Sequence, residues 1–305
     1  YNMEEQGQTT GFSFLASEAQ FDIQFHLIDY HGGMSYGRAY LVGLLNTILV
    51  AVLGIFFATI LGVLFGIIRL SSNFLLAKIA EWWVEIFRNV PLLLQLFFWY
   101  FAVLRALPLP KESVFIFDFF ILNIKGLYIP EFVWTNFNAL FYSIIGSIII
   151  VVFFIFWAKK TQEKTGKQYS KFYVSLSILI IIPALSIFIG GVDLMFIHPE
   201  LKKISDTIYN YEGGSKAIPE LLALVFALAI YTSTFIAECV RAGIMGVSKG
   251  QKEAAASIGL TTGQTLRLII MPQALRIIIP PATNQYLNLT KNSSLAAAIA
   301  YPDLV

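Results

Sequence analysis

Six runs of apolar residues, each close to the ~20 residues a helix needs to cross a bilayer, dominate this chain; they lie at 39–68, 91–107, 139–157, 172–191, 218–239 and 277–300. Lipid offers no partner for a backbone N–H or C=O, so runs of this length pair their backbone groups internally, as helices. Composition agrees, with 57% hydrophobic and only 13% charged residues, where soluble domains carry about 25% charged. The sequence therefore reads as all-α, a polytopic transmembrane helical bundle. The last run is the most broken, because Asn284, Asn288, Lys291 and Asn292 fall inside it. Residues 74–88 read as an amphipathic helix, joined to the second run through a kink at Pro91.

Lys and Arg in the connecting segments set the orientation. Segments 69–90, 158–171 and 241–276 hold 13 of them, against 6 in 1–38, 108–138 and 192–217. Acidic residues run the other way, 4 against 12. The first set is expected to be cytoplasmic and the N-terminal segment external. Tyr1 stands where a Met would begin a chain, no signal-peptide pattern follows, and 303–305 come directly after a run. The expectation is a longer protein with a further span at each end.

The cytoplasmic segment 241–276 contains an unusual small-residue elbow. Ser248 with Gln251 reads as a capping box, Ala254, Ala255 and Ala256 give a smooth helical face, and Gly259 supplies a stop. Thr261 with Gln264 repeats the start signal, and a second short helix is expected to run towards Pro272. The chain has no G-x-x-x-x-G-K-[ST] loop; Gly166-Lys167 lacks both the earlier glycine and the following hydroxyl. If nucleotide is hydrolysed, another subunit does it, and the elbow is a natural contact for that subunit.

Glu253, Ala254, Ala255, Gly259, Ile269 and Pro272 match, in spacing, the E-A-A loop of binding-protein-dependent ABC importer permeases, with Met271 where leucine is usual. The stretch V-E-I-F-R-N-V-P-L-L-L-Q at 84–95 resembles the polar amino-acid branch of that family, with Val90 in place of threonine. So does Y-L-N-L-T-K-N-S-S-L at 286–295. The middle, 108–217, looks like the extra spans of the longer general L-amino-acid permeases. The resemblance implies a type I ABC importer permease core with inserted spans in a bacterial inner membrane. It divides the chain into an external segment (1–38), a first part of the core (39–107), the insertion (108–217) and a second part of the core (218–305) carrying the loop at 241–276. It implies no enzyme activity and no cofactor in this chain, with ATP and Mg on partner ATPase subunits. A second permease subunit, the same or different, and an external solute-binding protein complete the expected set of partners, and the E-A-A residues couple to the ATPase. The alternative class is an ion- or proton-coupled secondary carrier, which calls for intramembrane carboxylates and paired broken helices. Only Glu220 and Glu238 lie within clear runs, both near the ends.

A zwitterionic substrate needs a cation for its carboxylate and acceptors for its ammonium. Lys291 or Arg88 could serve the first need, and Glu85 or the amides of Asn284, Asn288 and Asn292 the second, with Ser293 and Ser294 adjoining. The competing reading has the asparagines bonding neighbouring helices and Lys291 snorkelling to the interface. His26, His31 and His198 lack metal-ligand spacing, Cys239 stands alone, and Glu238–Arg241 reads as a local ion pair. The five lysines of 159–171 read as a cytoplasmic anchor, and Trp82, Trp83, Trp99 and Trp157 as interfacial belts.

Overall fold

The computed structural model describes residues 11–117, 119–134, 137–166, 168–189, 194–205 and 209–304. Residues 1–10, Lys167 within the lysine anchor, and 190–191 at the end of the fourth expected run lie outside these. The chain divides into two units, 1–114 with 122–127 and 217–305, and 115–121 with 128–216.

The first unit opens with a short 3-10 turn (Ser13–Ala16) and then α1 (Tyr36–Ile68), whose N-terminus is capped by the Ser35 hydroxyl accepting from the Arg38 amide. Helix α2 (Phe74–Asn89) starts where the Asn73 side chain accepts from the amides of Leu75 and Leu76. It ends because Pro91 forces Val90 into an extended conformation (φ −85°, ψ 126°). The next helix, α3 (Leu92–Phe97), runs on through a π turn (Phe98–Val103) to Ala106, and its axis is bent 102° from α2. The kink expected at Pro91 is therefore a sharp corner. Gln95, almost fully buried, closes it: its amide nitrogen donates to the carbonyls of Phe87 (2.6 Å) and Val90 (3.0 Å).

Helix α6 (Pro219–Met245) is the axis of this unit, with most of its length buried. It packs along α1 most closely at Gly62 and Gly66, while Gly54, earlier on α1, meets the side chain of Leu289; these three and Ala58 are all buried. A β-carbon on Gly62 would sit 2.6 Å from Cβ of Ile236, and one on Gly66 would sit 2.8 Å from the Ala237 carbonyl oxygen. Small residues let membrane helices approach until backbones touch, which is where their dispersion gain comes from. Leu96, Leu224, Leu228, Ile236 and Leu289 are fully buried in the same apolar cluster. Trp83 stacks on Phe65 of α1 at 4.6 Å, because α2 turns its Ala80–Val84 stripe and this ring towards α1 and α6.

Asn46 of α1, fully buried, donates to the carbonyls of Phe25 (2.9 Å) and Pro302 (2.8 Å), and the Tyr301 hydroxyl donates to its backbone oxygen (3.3 Å). Three stretches distant in sequence thus meet on one amide. On α6, Glu238 accepts from Arg241 at 2.5 Å, the expected local pair, and also from Arg69 at the end of α1.

The second unit holds α4 (Phe137–Thr165) and α5 (Lys171–Ile189), which pack as a pair with Ser143 and Ser186 hydrogen-bonded between them at 2.9 Å. Most of their apolar side chains are exposed, as a lipid-facing pair requires. Among the described residues, the region 114–217 also carries eight short strands that run-length reasoning did not anticipate. They are β1 (Val114–Ile116), β2 (Phe120–Asn123), β3 (Gly126–Ile129), β4 (Glu131–Trp134), β5 (Leu194–Ile197), β6 (Glu200–Lys203), β7 (Tyr209–Glu212) and β8 (Ser215–Ala217). Strands β1, β2, β3 and β8 form one sheet in that order, while β4–β5 and β6–β7 are antiparallel pairs, Glu131 opposite Ile197 and Glu200 opposite Glu212. Strands of three or four residues leave too short an alternation to read against long apolar helices.

By length and composition α1, α4 and α6 can each cross a membrane, and the bent α2–α3 pair makes a fourth candidate. The last apolar run of the sequence is divided: α9 (Met271–Asn292) gives way to a 3-10 turn (Ser293–Ile299) that ends at Ala300 in the left-handed region.

Candidate functional site

The elbow folds as two arms. The first, α7 (Lys249–Ser257), begins at Ser248, whose side chain makes no cap bond. The expected capping box is absent there because Gln251 turns away, its side-chain oxygen accepting from Gln273 at 3.2 Å. The stop at Gly259 is as expected. With φ +80° it allows the amides of Gly259 and Leu260 to donate to the carbonyls of Ala256 (3.0 Å) and Ala255 (3.1 Å), the paired bonds of a Schellman ending. Of the three alanines only Ala255 is buried; Ala254 and Ala256 face outwards. Glu253 is exposed, 3.5 Å from Lys249.

The second arm, α8 (Thr262–Thr265), has the capping box in full: the Gln264 amide donates to the Thr261 hydroxyl (3.3 Å), and the Thr261 amide to the Gln264 side-chain oxygen (2.9 Å). It does not stop at Pro272. A π turn (Leu266–Ile270), containing the half-buried Ile269, carries the helix directly into α9, with Pro272 exposed in its first turn. Proline lacks the amide that would bond back four residues, and a wider turn at this point accommodates the missing donor without ending the helix. The short second helix of the sequence reading is thus the beginning of a long one.

The far end of α9 lines a cavity of about 380 Å³ facing α6. Helix α9 contributes Gln285, Asn288, Lys291 and Asn292, and α6 contributes Tyr231, Thr232 and Phe235. Asn284 is exposed and outside the lining. Asn284 lies one turn before Asn288 on α9, and at that level the lining is completed by Gln285 instead. The Ser293 and Ser294 hydroxyls donate to the carbonyls of Thr290 (2.7 Å) and Lys291 (3.0 Å), which satisfies the end of α9. Glu85 and Arg88 lie exposed on α2, outside the lining. The structure therefore gathers Asn288, Lys291 and Asn292 and leaves out the other proposed substrate residues. Tyr231, Thr232 and Phe235 were missed because α6 reads as a uniform apolar run.

Among the described residues no group of three or more His, Cys, Asp or Glu could hold a metal ion. Apolar helices long enough to cross a membrane and a close small-residue helix seam define a multi-pass membrane protein. Comparison with known proteins narrows this. A family model described as "Binding-protein-dependent transport system inner membrane component" matches residues 168–305. YhdX of Escherichia coli K12 is 49% identical over 305 residues, 100% of this chain and 76% of that protein. The general L-amino acid transport system permease protein AapQ of Rhizobium johnstonii is 46% identical over 100% of this chain and 75% of its own length. The glutamate/glutamine/aspartate/asparagine transport system permease protein BztB of Rhodobacter capsulatus is 38% identical over 99% and 77%. The chain belongs to the family of amino-acid ABC transporter permeases. It is the membrane permease of an amino-acid importer, a transport component rather than an enzyme, and proteins of this family work with an ATPase and a binding protein. The secondary-carrier alternative is thereby set aside.

Proposed function

We propose that the elbow is the coupling element of the importer, sitting on the cytoplasmic side of a bacterial inner membrane and docking a separate ATPase subunit that holds ATP and Mg. Glu253, Ala254, Ala255 and Gly259 form the docking arm; Ile269 and Pro272 join it to the bundle. Residues 39–107 and 218–305 make the permease core, with 108–217 as an insertion, and a second permease subunit completes the path. Closure of the ATPase pair on ATP pushes the elbow, and the helices attached to it switch the core between inward- and outward-facing states. An external binding protein delivers an L-amino acid, which passes the cavity lined by Asn288, Lys291 and Asn292. Asn284, Glu85, Arg88, Ser293 and Ser294 belong to approaches to that path.

The observation that carries this reading is continuity: the second arm of the elbow and the cavity-lining residues lie on one unbroken helix from Thr262 to Asn292. The test is Glu253→Arg, with co-purification of the ATPase and ATP-driven uptake as readouts. Both are expected to be lost while the permease still inserts. Uptake that persists without an associated ATPase sinks the proposal.

A further inference from the structure

The first arm of the elbow and the turn after it are polar or small-residued except at two places. Between Ser248 and Thr262 the large apolar residues are Ile258 and Leu260, and the fold treats them in opposite ways. Leu260 is half-buried, and its amide donates to the Ala255 carbonyl at 3.1 Å, closing the end of α7. Ile258, at the C-cap, is 75% exposed.

Nothing in the helix ending asks for isoleucine at that position. The stop is made by the amides of Gly259 and Leu260 and by the positive φ of Gly259, all backbone features. A β-branched side chain is no asset to a helical turn, so a polar residue would serve the local structure as well and keep apolar surface out of water. A lone exposed isoleucine on an ordinary surface calls for no explanation. This one lies inside the E-A-A segment, directly before Gly259, with the exposed polar residues Lys252, Glu253, Ser257 and Thr261 close by in the chain. Ala254, one turn earlier on the same side of the helix, is exposed and offers only a methyl group. An apolar centre within a polar rim is the anatomy of a protein–protein contact, and a few central side chains carry most of the affinity of such contacts.

We infer that Ile258 is the apolar anchor of the elbow, seated in an apolar pocket on the surface of the ATPase subunit, with Ala254 as the low ground beside it. The inference rests on the coupling reading above. Lipid is the poorer occupant. A helix that lies in the bilayer interface needs a broad apolar face, and the exposed residues of α7 are otherwise polar, glycine or alanine.

The test titrates the purified, nucleotide-free ATPase subunit of the importer onto the permease, in detergent and in nanodiscs, and reads the apparent Kd. Burying one CH2 is worth about fourfold in affinity, and 75% of the residue is free to be covered. Ile258→Val is therefore expected to weaken docking about threefold and Ile258→Ala about twentyfold. Ile258→Asp is expected to abolish it, because the pocket would have to take an unpaired carboxylate. All three should melt with the wild-type permease, since the residue is exposed; a loss of affinity that only follows a falling melting point overturns the anchor. So does a loss seen in nanodiscs and absent in detergent, which would assign the side chain to the bilayer. A flat series while Glu253→Arg still abolishes docking removes Ile258 and leaves the coupling reading standing. A flat series in which Glu253→Arg also docks normally overturns both.

Discussion

Gly62→Ala probes the α1–α6 seam with a single methyl group. The new β-carbon would lie 2.6 Å from both Cβ and Cγ2 of Ile236 and 3.0 Å from the Ser233 carbonyl oxygen. Carbon atoms in good contact sit about 3.5–4.0 Å apart, so the overlap is close to 1 Å. Rotation of Ile236 cannot relieve it, because its Cβ is fixed to the backbone of α6. The helices must separate, and overpacking of this kind costs about 1–3 kcal/mol. Alanine also improves helix propensity over glycine by about 1 kcal/mol, which would blur the measurement taken alone. Gly146→Ala in α4 removes that ambiguity: a β-carbon there meets nothing within 4 Å, so it carries the propensity gain without the clash. The two variants are therefore expected to differ by the overpacking cost alone. At about 2–4 °C per kcal/mol, Gly62→Ala should melt roughly 2–12 °C below Gly146→Ala when the purified complex is followed by tryptophan fluorescence. Melting points within about 1 °C of each other would show that α1 and α6 do not meet at Gly62.

Two further outcomes follow from the corner and the elbow. Gln95→Leu removes the donor shared by the Phe87 and Val90 carbonyls, and leaving buried acceptors unpaired should cost about 1–3 kcal/mol; Gln95→Glu should be no better, since a carboxylate cannot donate. Hydrogen exchange faster at 87–95 in both variants checks it, and wild-type protection there counts against the clamp. Gly259→Ala should destabilise the elbow by about 1–2 kcal/mol, a purely backbone effect since its β-carbon meets nothing within 4 Å at φ +80°. Gly259→Asn should recover part of the loss, as read by thermal unfolding and by ATPase co-purification.

Much of the bundle was legible in the sequence because burying a backbone in lipid demands long apolar runs; α1 and α6 begin within three residues of where hydropathy places them. The corner at Pro91 and the stop at Gly259 were readable for the same local reason, a residue whose backbone options are restricted or extended. The features that escaped depend on what faces what. The repeat Gly54–Ala58–Gly62–Gly66 is visible as small residues four apart, yet only the positions of Leu289, opposite Gly54, and of Ile236 and Val240, opposite Gly62 and Gly66, give it meaning. The π turn before Pro272 hides inside a pattern that reads as a helix end. Lys291 stood out because a charge in an apolar run is conspicuous, whereas Thr232 across the cavity blended into its helix. The partner of Glu238 on α1, Arg69, lies 169 residues away, beyond any local pattern.

Asn46 has a consequence for how the chain is made. Its second carbonyl partner, Pro302, lies 256 residues downstream. At about 5–20 residues per second, translation takes roughly 13–50 s to produce it. Through that interval the amide is already in place on α1 with only Phe25 to accept from it. That end of α1 is therefore completed only after Pro302 has been made, and until then one of the two acceptors of the Asn46 amide is missing.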